Sequence, residues 1–281
     1  MTSESSRSRD DVQGPAFDRE TLDRIYERYN TREYTHPDPV ELIYRYDDVG
    51  DREVAALVAA LLSLGRVRQI LGSARDALAR LGPRPGSFLD QADRGRLEGT
   101  FEGFRHRFTT GCDMAATLHG AAAVRREYGT LGARLAGLVS QSDETVVPGL
   151  EALVDEMERV AGRGACGRLL PLPSRRSACK RLHLFLRWMV RRDDVDPGGF
   201  DGVSPAKLVV PLDTHMHRIA LAFGLTRRRS TDVRTALEIT EAFRRICPED
   251  PVRYDFALTR SGIHPDVEMD AMLAPACTAR G

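Results

Sequence analysis

The sequence predicts an all-α protein, and three observations support this fold class. Apolar residues recur at the i, i+3, i+4 and i+7 spacing of one helix face along most of the chain. Residues typical of helix ends, Asp before and Gly after, separate these periodic segments. Alternating apolar and polar residues, which would indicate strands, are almost absent, and only the short run 208–210 has an extended character. We therefore expect roughly ten helices and no substantial sheet.

Helical periodicity marks several segments in the amino-terminal half of the chain. These segments are Leu22–Tyr29, Leu42–Tyr46, Val54–Leu62, Val67–Leu81, Met114–Tyr128 and Leu131–Val139. Asp38-Pro39 is expected to begin the second segment, Asp51 to cap the third and Gly82 to end the fourth. Residues 83–100 are rich in Pro and Gly, so we expect a loop there with room for one short helix.

The carboxy-terminal half continues the same pattern. Its predicted helices cover residues 150–160, 178–191, 213–224, 231–246 and 251–260. The stretch 162–177 is rich in Gly and Pro and is expected to be irregular. At the other end of the chain, residues 1–15 are polar and lack apolar periodicity, which predicts a disordered tail.

The bulk composition excludes several classes of protein. Lys and Arg together number 41, as do Asp and Glu, so any attraction to nucleic acid has to come from a local basic patch. Five scattered cysteines without a C-x-x-C pair indicate neither a disulfide framework nor a zinc ribbon. No apolar run is long enough for a signal peptide or a membrane span. We expect a cytoplasmic monomer that makes no membrane contact and needs no cofactor.

The segment Ser174–Arg192 is the most concentrated basic stretch of this otherwise neutral chain. An apolar stripe runs along its predicted helix, and the remaining positions are largely Arg or Lys. The basic residues are Arg175, Arg176, Lys180, Arg181, Arg187, Arg191 and Arg192. Such a patch suits a phosphate backbone, although a solvated helix face whose arginines pair with distant acids has the same appearance.

Lys180 lies near the start of this helix, with Ser177 as the expected cap. The helix dipole and the neighbouring arginines disfavour an ammonium ion there, and a neutral amine is what Schiff-base chemistry needs. Most lysines, however, are simply solvated. Asp213 directly precedes another predicted helix, where its ordinary role is that of an N-cap. An aspartate can cap a helix and still face a cleft, so both interpretations stay open.

The residues around Asp213 resemble a known superfamily. Leu212-Asp213-Thr214-His215 is similar to the valine-aspartate-threonine-histidine segment of the helix-hairpin-helix base-excision DNA glycosylases, which include the endonuclease III-like enzymes. Val54–Ile70 and Val252–Ile263 resemble an early and a closing helix of that superfamily, so the likeness covers most of residues 50–263. The wide spacing of Lys180 and Asp213 is closer to that of the archaeal 8-oxoguanine glycosylases. The whole chain also resembles a widespread bacterial family related to this superfamily.

The resemblance implies a fold and a mechanism. It implies a central lobe of residues 50–203 that carries Lys180 and a second lobe of residues 16–49 and 204–265 that carries Asp213, followed by a tail at 266–281. Lys180 would attack the sugar C1′ of a flipped nucleotide, and Asp213 would act as the acid/base partner. The superfamily's glycine-containing hairpin and the iron–sulfur cysteines of endonuclease III have no match here.

The resemblance also implies contact residues, with DNA as the partner and RNA as a further possibility. The expected nucleic-acid contacts are Arg175, Arg176, Arg181, Arg187, Arg191 and His215. The expected base-pocket residues are Ser63, Gly65, Arg66 and Gln141.

Two other interpretations remain open. The protein could be a non-catalytic nucleic-acid binder of the same fold. It could also be a metal-dependent hydrolase that uses the D-x-H-x-H pattern of Asp213, His215 and His217, although residues two apart on a helix do not face one another.

Overall fold

The computed structural model describes residues 18–264, 266–268 and 272 of this 281-residue chain. The helices are α1 Arg19–Tyr29, α2 Val49–Leu61, α3 Val67–Leu81, α4 Pro85–Gln91, α5 Arg94–Thr100, α6 Gly111–Tyr128, α7 Leu131–Leu138, α8 Val147–Ala161, α9 Lys180–Val190, α10 Thr214–Ala222, α11 Val233–Arg244 and α12 Asp255–Ile263. Short 3₁₀ turns cover Arg32–Thr35, Pro39–Arg45, Pro173–Arg175 and Pro205–Lys207. This confirms the predicted all-α class.

One small antiparallel hairpin, β1 Arg105–His106 with β2 Thr109–Thr110, interrupts the helices. The sequence did not indicate it, because strands of two residues are too short to show alternation. The run 208–210 forms no strand. The predicted disordered tail 1–15 lies outside the described residues, as does most of the predicted tail 266–281.

Most helix starts follow the local capping rules. Asp48, rather than the expected Asp51, caps α2 by accepting a hydrogen bond from the Asp51 N–H at 2.9 Å. Asp51 lies inside the first turn, and its carboxylate accepts a hydrogen bond from the Gly86 N–H at 2.8 Å, which ties α2 to α4. The prediction of Asp51 as the cap is therefore wrong, because α2 begins at Val49 and Asp48 directly precedes that residue.

Residues 83–100 contain two helices where we expected a loop with room for one short helix. Pro85 is the first residue of α4, a position where the missing N–H of proline costs nothing. Asp93 caps α5 by accepting from the Arg96 N–H at 2.7 Å. The composition of this segment suggested a loop because proline and glycine are counted equally wherever they stand, whereas their effect depends on position.

The helices pack around one continuous apolar core. Helix α2 contacts α3, α4 and α9, and α6 contacts α5, α7 and α8, while α12 contacts α1 and α10. A β-carbon added to Gly120 of α6 would lie 2.5 Å from the Met157 carbonyl oxygen of α8, so glycine permits this close crossing. Since one cluster of buried side chains contains residues of both predicted lobes, the division into two lobes stays a prediction. No helix in the described ranges is long and apolar enough to cross a membrane.

Candidate active site

The structure brings Lys180 and Asp213 together at the starts of two helices. Lys180 is the first residue of α9, and Asp213 directly precedes α10. The distance from Lys180 Nζ to Asp213 Oδ2 is 3.8 Å, and the two side chains are 30 % and 22 % exposed. Lys180 Nζ also donates a hydrogen bond to the Ser63 carbonyl oxygen at 3.4 Å. The amine therefore has one charged partner and one neutral partner, and a ligand can still reach it.

Asp213 uses its two carboxylate oxygens for different purposes. Oδ1 accepts hydrogen bonds from the N–H groups of His215 and Met216, both at 2.9 Å. This is an ordinary N-cap, and it fixes the orientation of the carboxylate. Oδ2 is left to face Lys180. The two interpretations of Asp213 given by the sequence are therefore compatible in one geometry.

The segment before Lys180 departs from a standard helix start. Ser177 does not cap α9 as expected; its hydroxyl accepts from the Cys179 N–H at 3.1 Å, and Cys179 occupies the N-cap position without a side-chain cap. Cys179 and Arg176 both have left-handed backbone, with φ of 47° and 66°. Non-glycine residues rarely adopt this conformation, and such strain concentrates near functional sites. Burial raises the pKa of the Cys179 thiol to about 11, which makes a reactive thiolate unfavourable.

Two cavities meet at the lysine–aspartate pair. The first has a volume of about 450 Å³ and the second about 500 Å³, sizes that suit a small ligand. The residues that line both cavities are Ser63, Gly65, Lys180, Asp213 and His215. The pair therefore stands where a ligand that fills both cavities would pass from one to the other.

The first cavity has charged groups on its lining and apolar walls. Arg260 Nη2 donates to Asp38 Oδ2 at 2.9 Å, and Arg187 Nη1 donates to Asp255 Oδ2. Burial raises the pKa of Asp255 to about 6, although the Arg187 guanidinium acts in the opposite direction. The apolar lining consists of Pro39, Val67, Ile70, Leu184, Pro211 and Ile263. Apolar walls with a few donors and acceptors suit a small ligand that carries polar groups.

Sequence reasoning missed three of these lining residues. Asp38 was expected only to begin a helix, and it does so, since Oδ1 accepts from the Val40 N–H at 3.0 Å. Its other oxygen binds Arg260 of the distant helix α12. Asp255 and Arg260 carried no local signal, because their role depends on partners far away in the chain.

His215 and His217 do not face a common point. His215 lines both cavities and packs against Gly262, where an added β-carbon would lie 2.0 Å from Nδ1. His217 Nε2 hydrogen-bonds with the Arg228 carbonyl oxygen at 2.8 Å. In the part of the chain that the structure describes, no group of three or more His, Cys, Asp or Glu side chains could hold a metal ion. The metal-hydrolase interpretation therefore has no assembled ligand set there.

Arg187 and Arg191 are buried, and the prediction that they contact nucleic acid is wrong. Their side chains are 3 % and 4 % exposed. Arg187 pairs with Asp196 and Asp255. Arg191 pairs with Asp193, Asp196 and Asp250. A guanidinium with two or three aspartate partners in the interior cannot reach a phosphate at the surface.

The structure places the remaining predicted contact residues in different environments. Arg175 and Arg176 are exposed, and Arg181 donates to the carbonyl oxygens of Leu61 and Arg168, which makes it a structural contact at the edge of the second cavity. Ser63, Gly65 and Arg66 line the first cavity. The prediction for Gln141 is wrong, because this residue lines neither cavity, and its carbonyl oxygen accepts from Lys207 Nζ at 3.1 Å.

Several exposed arginines near the cavities were not among the predicted contacts. Arg68 follows the turn that carries Ser63–Arg66, Arg105 and Arg107 belong to the β1–β2 hairpin, and Arg168 precedes α9. We call Arg66, Arg68, Arg105, Arg107, Arg168 and Arg175 the basic rim. None of these six guanidinium groups has a carboxylate oxygen within 4.0 Å among the described residues. A sequence pattern cannot distinguish them from paired arginines.

The fold and the site define an all-α protein with a lysine–aspartate pair at the junction of two cavities. The chain belongs to the family described as "Protein of unknown function (DUF2400)", whose model matches residues 38–264. Comparison with curated proteins and comparison with solved structures each gave no match. The family description names no activity, so the resemblance to the helix-hairpin-helix glycosylases stays a hypothesis.

Proposed function

We propose that this protein is a DNA base-excision glycosylase with lyase activity, in which Lys180 is the nucleophile and Asp213 the acid/base partner. The observation that carries the proposal is the 3.8 Å contact between Lys180 Nζ and Asp213 Oδ2 at the junction of the two cavities. DNA repair takes place where the chromosome is, so the proposal includes a cytoplasmic location.

The two cavities suit the two parts of a flipped nucleotide. A base in a duplex has to leave the stack before an enzyme can reach its C1′ atom. The base would enter the first cavity, where Asp38, Asp255 and Arg260 offer hydrogen-bonding groups. The sugar would then lie at the junction beside Lys180, and the strand would follow the second cavity.

The first chemical step breaks the bond between the base and the sugar. Asp213 Oδ2 accepts a proton from the Lys180 ammonium group, and the neutral amine attacks C1′. The electron pair of the C1′–N bond leaves with the base, which takes up the proton that Asp213 accepted from Lys180. Asp213 is then a carboxylate again, and it stabilises the positive charge on the sugar–lysine adduct.

The second step breaks the strand. The sugar ring opens to give an imine between Lys180 Nζ and C1′. Loss of a proton from C2′ then expels the 3′ phosphate, and water finally hydrolyses the imine to release the lysine. A hydride donor such as borohydride reduces the imine to a stable amine, so the intermediate can be trapped.

The basic rim supports DNA as the partner. It consists of six exposed guanidinium groups that have no carboxylate oxygen within 4.0 Å in the described residues, in a chain whose formal net charge is zero. Arg66 lines the first cavity, and Arg107 packs on Gly65, which lines both cavities. Neutralisation of phosphates by arginine releases counterions, which gives affinity that falls steeply with salt. The rim thus takes over the role that the sequence assigned to Arg187 and Arg191.

The chain permits an unusually clean test, because Lys180 and Lys207 are its two lysines. The purified protein is incubated with duplexes that contain 8-oxoguanine, uracil or an abasic site, and borohydride is added. We expect a covalent adduct, and mass mapping should place it on the peptide that contains Lys180.

Lys207→Arg is the matched control, because Lys207 Nζ donates to the carbonyl oxygens of Ser140 and Gln141 and lines neither cavity. This variant should still form the adduct, whereas Lys180→Ala should not. The absence of an adduct with every lesion, together with intact salt-dependent DNA binding, would rule out the lyase and favour the non-catalytic binder.

A further inference from the structure

The tip of the β1–β2 hairpin carries an unusually exposed aromatic side chain. Phe108 is 70 % exposed, a larger fraction than that of any other large apolar side chain in the described residues. Its neighbour Arg107 has left-handed backbone with φ of 53°, which forms the tight turn between the two strands. An aromatic side chain of this size on the surface loses the free energy that burial would give it, so its exposure calls for a reason.

Two guanidinium groups accompany the ring. The Cζ atoms of Arg107 and Arg168 each lie 5.7 Å from the Phe108 ring centroid, within the range of cation–π contacts. Arg105 precedes Arg107 on the hairpin. All three arginines belong to the basic rim, so none of them has a carboxylate oxygen within 4.0 Å among the described residues.

The hairpin is fixed beside the cavities rather than free in solvent. His106 Nε2 lies 3.1 Å from the Leu64 carbonyl oxygen, and Nδ1 lies 2.9 Å from Ser73 Oγ. A carbonyl can only accept, so Nε2 carries the proton and Nδ1 accepts from the Ser73 hydroxyl. Burial lowers the pKa of His106, which favours this neutral form.

The segment that His106 contacts through the Leu64 carbonyl oxygen is part of the cavity wall. Leu64 lines the second cavity, and Gly65 lines both. The Arg107 side chain packs on Gly65, where an added β-carbon would lie 2.7 Å from Nη1. Through these contacts the hairpin holds Phe108 at a fixed position next to the cavity entrance.

We propose that the hairpin tip is a base-stacking site for DNA, in which Phe108 stacks on a base next to the nucleotide that enters the first cavity. Arg107 and Arg168 bind the flanking phosphates. Stacking on an aromatic ring is tolerant of sequence, and arginine adds a cation–π contribution. This inference rests on the proposed function, since it assigns a strand position relative to the same cavities.

The first experiment measures DNA binding with a duplex that contains a tetrahydrofuran abasic analogue, which the lyase cannot open at C1′. Fluorescence anisotropy of labelled duplex gives Kd for the wild type, Phe108→Ala and Phe108→Tyr. We expect Phe108→Ala to weaken binding about tenfold and Phe108→Tyr to retain affinity, because tyrosine preserves the stacking face.

Tyr128→Ala is the matched control for the loss of an exposed aromatic side chain. Tyr128 is 37 % exposed and has Arg134 over its ring at 4.3 Å, so it repeats the arginine–aromatic pair on a part of the surface that lines neither cavity. This variant should bind DNA as the wild type does. An equal loss in both variants would overturn the inference, because the effect would then be general.

A second experiment observes stacking directly. The single native tryptophan, Trp188, is fully buried and provides a constant background. In Phe108→Trp, a base that stacks on the indole should quench its fluorescence when DNA is added, and Tyr128→Trp should show no such quenching.

The two proposals fail in different ways. Wild-type affinity in Phe108→Ala and no quenching in Phe108→Trp would overturn the stacking site, while a Lys180 adduct in the same preparations would leave the glycosylase proposal intact. Failure of the wild type to bind DNA at low salt would overturn both.

Discussion

Arg187 offers the sharpest test of how the arginines of α9 are used. In the structure this guanidinium pairs with Asp196 and Asp255 in the interior, and its side chain is 3 % exposed. Replacement by methionine keeps most of the side-chain volume and removes the charge. Asp255 then loses its arginine partner, whereas Asp196 retains Arg191. Breaking a buried ion pair in this way costs about 3–5 kcal/mol, a large share of the roughly 5–15 kcal/mol that stabilises a typical domain.

The cost should depend on pH in a defined direction. Burial already raises the pKa of Asp255 to about 6 from an ordinary value of 3.8. Without Arg187, which lowers this pKa, the value in the folded variant rises further. A carboxyl group whose pKa is higher in the folded state than in the unfolded state binds more protons in the folded state, so the variant gains stability as pH falls. The difference from the wild type should therefore be larger at pH 8 than at pH 5.

Urea denaturation followed by circular dichroism measures both effects, with the free energy of unfolding compared at pH 8 and pH 5. The matched control is Arg175→Met, because Arg175 is exposed and lacks a carboxylate partner among the described residues. Its stability should stay within about 0.5 kcal/mol of the wild type, while its DNA affinity falls. If Arg187→Met lost DNA affinity and kept wild-type stability, Arg187 would be a phosphate contact after all and the reasoning would be refuted.

Three further predictions concern single side chains. Asn at position 213 can still cap α10, so Asp213→Asn should change the free energy of unfolding by less than about 1 kcal/mol. Single-turnover trapping with borohydride should slow by about 10²–10⁴-fold, because the proton acceptor is lost. An unchanged rate would remove Asp213 from the mechanism. Burial raises the pKa of Glu53 to about 7 from 4.5, so the wild type should lose stability as pH rises through that range, and Glu53→Gln should flatten this part of the curve in urea titrations at several pH values. In Gly262→Ala the added methyl group would lie 2.0 Å from His215 Nδ1, so the imidazole has to move. We expect trapping to fall by up to about 100-fold, while circular dichroism shows an unchanged helix content. Wild-type trapping in this variant would show that the position of His215 does not matter.

Local signals predicted most of the fold. Helix α3 begins and ends as the sequence indicated, because Val67–Leu81 is strongly periodic and Gly82 provides the left-handed residue, with φ of 81°, that ends it. Gly129, with φ of 83°, separates α6 from α7 in the same way. These features depend on residues within one or two turns of each other, which is why a single sequence contains them.

The start of α9 shows where local signals fail. Ser177 would be a standard cap for a helix that begins at residue 178, as the sequence predicted. The helix begins at Lys180 instead, because the chain adopts left-handed backbone at Cys179, and the Ser177 hydroxyl accepts from the Cys179 N–H. The isolated bridge between Ser177 and Asp232 holds this segment against the region before α11. A contact between residues so far apart in sequence overrides the capping preference, and it has no counterpart in the local pattern.

Some features of the candidate site could likewise be predicted from local sequence, and others depend on contacts between distant residues. Lys180 and Asp213 could be singled out because each stands at a helix start with a distinctive neighbourhood. Their closeness to Ser63 and Gly65 could be expected only through a resemblance to a known fold, since it depends on the packing of α2 against α9. Phe108 was missed because one aromatic residue next to an arginine in the sequence gives no signal until its exposure is known.

The neutral composition of the chain conceals the most informative property of its surface. Among the described residues, the buried charged side chains are seven acids and four arginines. The acids are Asp38, Asp51, Glu53, Glu158, Asp196, Asp232 and Asp255, and the arginines are Arg125, Arg187, Arg191 and Arg260, so these side chains carry a formal charge of −3. Because the formal net charge of the whole chain is zero, the remainder carries +3, and the arginines of the basic rim lie in that remainder. A net charge of zero therefore does not argue against DNA binding here, because the interior holds more negative than positive charge.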